Sequence, residues 1–340
     1  MRTIRERLSD IWNRSGVPER DDLLDLVGRA SEALSAEDSA IRPPDASGQP
    51  GGFVRLERGL PVILVPDLHA RPGFVSAVLA MELSFSGARG RSRRDAVTTL
   101  DAIAGDDACL VFLGDAFHAE RGALDRWLAA YREFRLGHVL SAPMGEEMRD
   151  GLKAVSLVLE LKASFPRAVH FLKGNHENAR NEEGGGNHPF GKFAEEGRMT
   201  REWFLARYGT DALERYARME RLLPVCLAGD RFVASHAEPA RGYSLGAIVN
   251  ARENPEVVEG LTWTDNGEAA EGSAQAMLGE CLPDVPDARY FVGHRCVTGG
   301  YALRANGRVV QIHDPDAYQV AFVPPDRALD LSRDLRRLKG

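Results

Sequence analysis

Short runs of uninterrupted apolar residues recur through the middle of this 340-residue chain, and each stops abruptly at a glycine or a polar residue. They occupy 61–66, 108–113, 168–172, 231–235 and 289–293. Apolar runs of this length without polar alternation fit strands buried on both faces. Between and around them, apolar positions return at helical spacing, which predicts helices over 73–84, 94–104, 122–136, 145–163, 200–208 and 211–222. Two further helices are expected at 2–14 and 20–36. In the second, Leu23, Leu24, Val27, Ala30 and Leu34 form one stripe. Strands alternating with helices predict an α/β fold.

The pattern changes near both ends. Residues 41–52, "IRPPDASGQPGG", are rich in Pro and Gly and read as a connector. The expected organisation is therefore N-terminal helices and linker over 1–52, a main domain over 53–324, and a C-terminal helix with a basic end over 325–340. Late in the main domain, "YALRANGRVVQIHD" sets Asn306-Gly307 between two apolar-alternating runs, a strong hairpin signal. The run "YQVAFV" then adds another strand.

Composition narrows the class. The chain is 44% hydrophobic and 27% charged, as in ordinary globular proteins. No apolar run approaches the roughly 20 residues that span a bilayer, so no membrane partner is expected. The first residues, "MRTIRERLSDIWNR", contain no apolar core and no small-residue cleavage site. Cys109, Cys226, Cys281 and Cys296 are widely spaced and make no CxxC pair, which fits reduced thiols and a cytoplasmic location. A net charge of −7 disfavours nucleic acid as a partner.

The chemistry lies where the apolar runs stop. "VILVPDLHA" ends on Asp67 and His69, "CLVFLGDAFH" on Asp115, and "VHFLKGNHE" on Asn175 and His176. "RFVASHAEP" ends on His236 and "YFVGHRCV" on His294. A buried strand fixes the backbone, and the loop beyond its carboxyl end opens into a crevice. Taken singly, each residue could be a strand-end cap or a turn former. Together, two aspartates, one asparagine and histidines suit divalent Mn, Fe or Zn, not thiolate-bound structural zinc. The set exceeds what one tetrahedral site needs and fits two cations sharing a carboxylate. Two such ions about 3.5–4 Å apart can clamp both oxygens of a phosphoryl displacement.

Asp67-x-His69, Gly114-Asp115, Gly174-Asn175-His176-Glu177, His236 and Gly293-His294 resemble, in order, the motifs of the calcineurin-like metallophosphoesterases. The flanking segments 222–240, "GLTWTD", "GHRCVTGGY" and "VVQIHDPDAY" resemble the phosphoprotein phosphatase branch. The resemblance covers about 60–323. It implies a β-sandwich flanked by helices, with a dinuclear metal site at the strand ends. It also implies a phosphomonoesterase of the protein serine/threonine phosphatase kind. Asp67 and His69 would hold the first of two divalent ions, Asp115 would bridge, and Asn175, His236 and His294 would hold the second. Manganese is the ion expected to serve in vitro. A metal-bridging hydroxide would be the nucleophile, His176 the general acid, Arg121 the phosphate clamp, and a phosphorylated protein or small ester the substrate. Glu177 is expected to support the loop as an acceptor.

Some positions depart from that pattern. The family's Gly-Asp-x-x-Asp-Arg-Gly reads here Gly114-Asp115-Ala116-Phe117-His118-Ala119-Glu120-Arg121-Gly122. His118 stands where an aspartate would orient His176, and Glu120 is the carboxylate that could take over. Ala70 and Ala237 stand where glycine is usual, and Cys296 where other branches place a second histidine. His188 and His313 read as loop or structural residues. The segment 181–192 reads as a Gly-rich loop near the metals that could gate substrate, and Arg89, Arg91, Arg93 and Arg94 as a solvated basic loop. Two alternatives stay open: a nucleotide or dinucleoside polyphosphate hydrolase, and a weakly active metal-binding regulatory protein.

Overall fold

The computed structural model describes residues 2–84, 96–120 and 122–339. The chain opens with α1 (Ile4–Asn13), α2 (Arg20–Ser35), β1 (Phe53–Arg55), β2 (Val62–Val65) and α3 (Pro72–Ala80). A short ribbon, β3 (Glu82–Leu83) and β4 (Val97–Thr98), leads to α4 (Thr99–Ala104) and β5 (Cys109–Phe112). Next come α5 (Leu124–Arg135), α6 (Ala142–Ser164), β6 (Val169–Phe171), α7 (Glu196–Tyr208) and α8 (Thr210–Leu222). The second half holds β7 (Cys226–Ala228), β8 (Phe232–Ser235), α9 (Leu245–Val249), α10 (Pro255–Thr262), α11 (Ser273–Cys281) and β9 (Arg289–Val292). It closes with β10 (Ala302–Arg304), β11 (Val309–Gln311), β12 (Tyr318–Val323), α12 (Leu331–Asp334) and β13 (Leu335–Leu338). No described helix is long and apolar enough to cross a membrane.

Two mixed sheets organise this α/β chain. One runs β13-β12-β2-β5-β6, with β2, β5 and β6 parallel. The other runs β1-β7-β8-β9-β11-β10, with β8, β9 and β11 parallel. The uninterrupted apolar runs are explained by where alternate side chains go. Ile63, Val65, Leu110 and Phe112 pack with the α1–α8 helices, whereas Val62, Leu64, Cys109 and Val111 join a cluster shared with the second sheet. In that sheet Leu227, Phe232, Ala234 and Phe291 face the shared cluster, while Val233, Tyr290 and Val292 pack with α10 and α11. Every face of these strands is buried, so no polar alternation can survive.

The hairpin forms as its sequence indicates: Ala302 pairs with Gln311 and Arg304 with Val309. Asn306 and Gly307 take φ of 54° and 80° at the turn. Three helix expectations need correction. The helix expected over 73–84 stops at Ala80, because Glu82–Leu83 pairs with Val97–Thr98. The helix expected over 94–104 begins at Thr99, with the Thr98 hydroxyl accepting from the Asp101 N–H. The expected C-terminal helix over 325–340 is one turn, Leu331–Asp334, followed by strand β13. The tail pairs with the edge of β12 and covers N–H and C=O groups that would otherwise stay open. Arg89, Arg91, Arg93 and Arg94 lie outside the described residues. The N-terminal helices are part of the main core: Leu8, Ile11, Leu23 and Val27 share a cluster with α6 and α8.

Candidate metal centre

The parallel strands of both sheets send their carboxyl ends to one cleft of about 230 Å³. Asp67 and His69 follow β2, Asp115 follows β5, Asn175 and His176 follow β6, His236 follows β8, and His294 follows β9. All seven come together. Asp115 Oδ2 lies 3.3 Å from His236 Nε2, 3.7 Å from His176 Nε2 and 3.8 Å from His69 Nε2. Asp67 Oδ2 is 3.7 Å from His69 Nε2. Asn175 Oδ1 lies 2.9 Å from His236 Nε2 and 3.1 Å from His294 Nδ1. Groups of metal-capable atoms form at His69/Asp115/His176 and at Asp115/His236/His294.

The backbone around these residues is held in a costly conformation. His69, Ala70, Asp115, His118 and His294 have φ of 42°, 54°, 51°, 62° and 61°. Non-glycine residues rarely adopt such angles, and clusters of them mark functional sites. The glycines leave no slack. A Cβ on Gly174 would sit 2.2 Å from Asp115 Oδ1, and one on Gly293 would sit 1.8 Å from Asp67 Oδ1. Glu177 locks the turn from behind, accepting from the backbone N–H groups of Gly174, Asp115 and Ala116 at 2.7, 2.8 and 3.0 Å. The support expected of it is seen in these contacts.

Two histidines turn Nε2 toward Asp115. With the Nδ1 proton directed at a carbonyl, His69 Nδ1 meets the His118 oxygen and His236 Nδ1 the Leu113 oxygen, each at 2.9 Å, which leaves both Nε2 atoms toward Asp115. Burial pushes the His69 imidazole down to about 4 and His294 down to about 2. Burial would also lower His236, but the Asp115 and Asp67 carboxylates outweigh it and raise that imidazole to about 9. Asp67 and Asp115 are almost wholly buried and call for positive charge. A divalent cation would supply it, and His294 Nε2 is a buried nitrogen without a partner. Donor set, tight glycine packing and orphaned nitrogen fit a metal centre.

Of the catalytic candidates, His176, His118 and Glu120 all line the cleft, and the His176 side chain is 21% exposed. Its backbone N–H donates to Asp115 Oδ1 at 3.0 Å. No carboxylate meets its buried Nδ1. Rings hold it instead: Phe190 lies 4.6 Å and His118 5.3 Å from its centroid. His118 is packed against Phe117, Trp127 and Phe190, and neither of its nitrogens has a hydrogen-bond partner. Glu120, expected as the alternative partner of His176, lies elsewhere in the site. Its Oε2 is 3.1 Å from His313 Nε2 and 3.6 Å from His69 Nε2, and Lys192 pairs with its Oε1. Arg121 lies outside the described residues.

Sequence reasoning missed Lys192, Arg295 and Phe190, which line the cleft, and His313, which lies beside Asp67 and His69. The lost signal for His313 is plain in retrospect. "RVVQIHD" is one more apolar run ending in a metal-capable residue, and β11 lies parallel to β9, so its end reaches the same edge. Of the segment 181–192, residues 189–192 form part of the cleft wall.

No family model matches the chain, and no curated protein matches it. Its structure is similar to that of a protein serine/threonine phosphatase from Saccharomyces cerevisiae with similarity to human phosphatase PP5. The TM-score is 0.59 at 13% identity, over 95% of this chain and 90% of that one. The chain has a phosphatase-like fold. A cold-active protein-tyrosine phosphatase of a psychrophilic Shewanella is matched at a TM-score of 0.44 and 12% identity, over 84% of this chain and 79% of that one.

Proposed function

We propose that this chain is a metal-dependent phosphoester hydrolase of the calcineurin-like metallophosphoesterase type, with two packed sheets carrying a dinuclear centre. Its expected substrates are phosphomonoesters, including phosphoserine or phosphothreonine in proteins. The observation that carries the reading is the convergence of Asp67, His69, Asp115, Asn175, His236 and His294 at one cleft, with nitrogens of His236, His176 and His69 at 3.3, 3.7 and 3.8 Å from Asp115 Oδ2. Asp67, His69 and Asp115 would hold one divalent ion, and Asp115, Asn175, His236 and His294 the other. When bound, such a pair supplies Lewis acidity and a water of lowered pKa. His176, half-buried at the cleft, would give a proton to the leaving oxygen. Packing against Phe190 and His118 keeps its ring in position. Arg295 and Lys192 face the same cleft and would attract phosphate oxygens, alongside Arg121.

The yeast protein's serine/threonine phosphatase description and the motif order support phosphoprotein substrates. Phe190, Phe193 and Trp263 along the cleft give a dinucleoside polyphosphate substrate a stacking surface and keep that second reading in play. The test is turnover of p-nitrophenyl phosphate, phosphopeptides and dinucleoside polyphosphates after stripping with a chelator and restoring Mn²⁺. Hydrolysis should require the metal and stop in Asp115→Asn. Undiminished hydrolysis by stripped protein would overturn the reading. Two bound metals without turnover of any substrate would leave only a regulatory metal-binding role.

A further inference from the structure

We propose that His313 is a further ligand of the ion held by Asp67 and His69, with Glu120 as the carboxylate that fixes its imidazole. The inference rests on the metal centre argued above and names a residue that the strand-end motifs do not include.

His313 is 0% exposed, and it follows β11 directly at the edge where the other strands end. It belongs to a three-residue group with Asp67 and His69 whose ligand atoms all lie within 4.8 Å of one another. Its Nε2 is 3.1 Å from Glu120 Oε2, and its Nδ1 is buried without a partner. An imidazole with one nitrogen on a carboxylate keeps the other as a lone-pair donor, the arrangement common among histidine ligands to metals. The same device, with a carbonyl in place of the carboxylate, already holds His69 and His236. The spacing suits a shared cation. Two ligand atoms each about 2.1 Å from a metal stand roughly 3.0–3.5 Å apart at ordinary coordination angles. Around His69 Nε2, the oxygens of Glu120, Asp67 and Asp115 lie at 3.6, 3.7 and 3.8 Å. A modest contraction around an ion would draw this group together.

An imidazole there has a consequence for the metal. Asp67, Asp115 and one histidine alone would leave the first ion with mostly oxygen donors, which suits manganese and magnesium alike. A second imidazole shifts preference away from magnesium and toward iron and zinc. Cys296 offers a competing arrangement. Its Sγ lies 3.6 Å from Glu120 Oε2, and Glu120, Cys296 and His313 form a metal-capable group of their own.

The experiment counts metal on the full chain. Wild type, His313→Gln and the control His188→Gln are stripped, loaded with Mn²⁺, desalted and analysed for metal per chain, and the first-site affinity is read by titration. Wild type and the control should hold two ions. His313→Gln should bind the ion of the Asp67–His69 site at least about tenfold less tightly, in line with the loss of an imidazole and its support. Unchanged stoichiometry and affinity in His313→Gln would overturn the proposal and leave the dinuclear reading standing. Failure of wild type to bind any divalent ion would instead sink that reading. A manganese-soaked crystal of wild type decides the matter without a variant. An ion within about 2.3 Å of either His313 ring nitrogen supports the proposal. An ion on Asp67, His69 and Asp115 with His313 outside bonding distance, or zinc held by Cys296 and Glu120 with manganese unaffected by His313→Gln, overturns it.

Discussion

Replacing Gly293 by alanine probes how tightly the Asp67 carboxylate is held. A Cβ at this position would lie 1.8 Å from Asp67 Oδ1 and 3.0 Å from Asp67 Cγ. Nonbonded heavy atoms settle near about 3.5 Å, so the carboxylate must retreat by well over an ångström. Asp67 is fully buried, and its oxygens accept the His294 backbone N–H at 2.9 and 3.2 Å. Retreat breaks that contact. A hydrogen bond to a charged group is worth about 1.5–3 kcal/mol, and overpacking a well-filled site costs about 1–3 kcal/mol. The two together predict a loss of roughly 2.5–6 kcal/mol of folding stability. The displacement also disturbs the placement of this carboxylate beside His69 Nε2, now 3.7 Å from Asp67 Oδ2. Manganese affinity should fall at least about tenfold, equivalent to about 1.4 kcal/mol. Urea unfolding of the stripped protein gives the first number, and titration calorimetry with Mn²⁺ gives the second. A variant with wild-type stability and wild-type manganese affinity would refute the reasoning, because Asp67 would then have room beside Gly293.

Three further predictions come from buried charge. Glu177→Gln puts an amide where three backbone N–H groups point at a carboxylate, so one donor meets another; about 2–3 kcal/mol of stability should go, read by urea unfolding, and unchanged stability would refute the role of these contacts. Glu37, inside the chain with His170, Lys162 and Arg42, is raised by burial, but those partners outweigh it and hold its carboxyl below the ordinary 4.5. A depressed folded value means its stabilisation is complete above about 4.5 and is lost as pH falls through that lower value. Melting temperature should therefore drop more steeply below pH 4.5 in wild type than in Glu37→Gln; parallel curves would refute the linkage. Lys162→Met removes one charged partner of Glu37 and leaves Arg42, so it should cost about 1.5–3 kcal/mol at neutral pH by the same urea assay.

The sequence by itself determined the strands and the chemistry at their ends. The apolar runs are uninterrupted because each strand is covered on both faces, a local fact that survives without the rest of the fold. The ligand residues are legible for the same reason: each sits one to four residues past a run that stops. The hairpin at Asn306-Gly307 is legible because its turn residues carry their own backbone preference. Tertiary structure decided what depends on partners distant in the chain. The tail from Leu335 to Leu338 became a strand because β12 offered an open edge, a stabilisation its own Leu spacing does not encode. Glu120 turned to His313 and Lys192, some 193 and 72 positions away, because a carboxylate follows the nearest positive or proton-bearing group in space. His313 reads as a loop or structural residue from sequence because one apolar run ending in a histidine has meaning only when its strand is known to lie parallel to β9. Phe190 and His118 bracket His176 for a reason no spacing records: packing, not a motif, orients that ring.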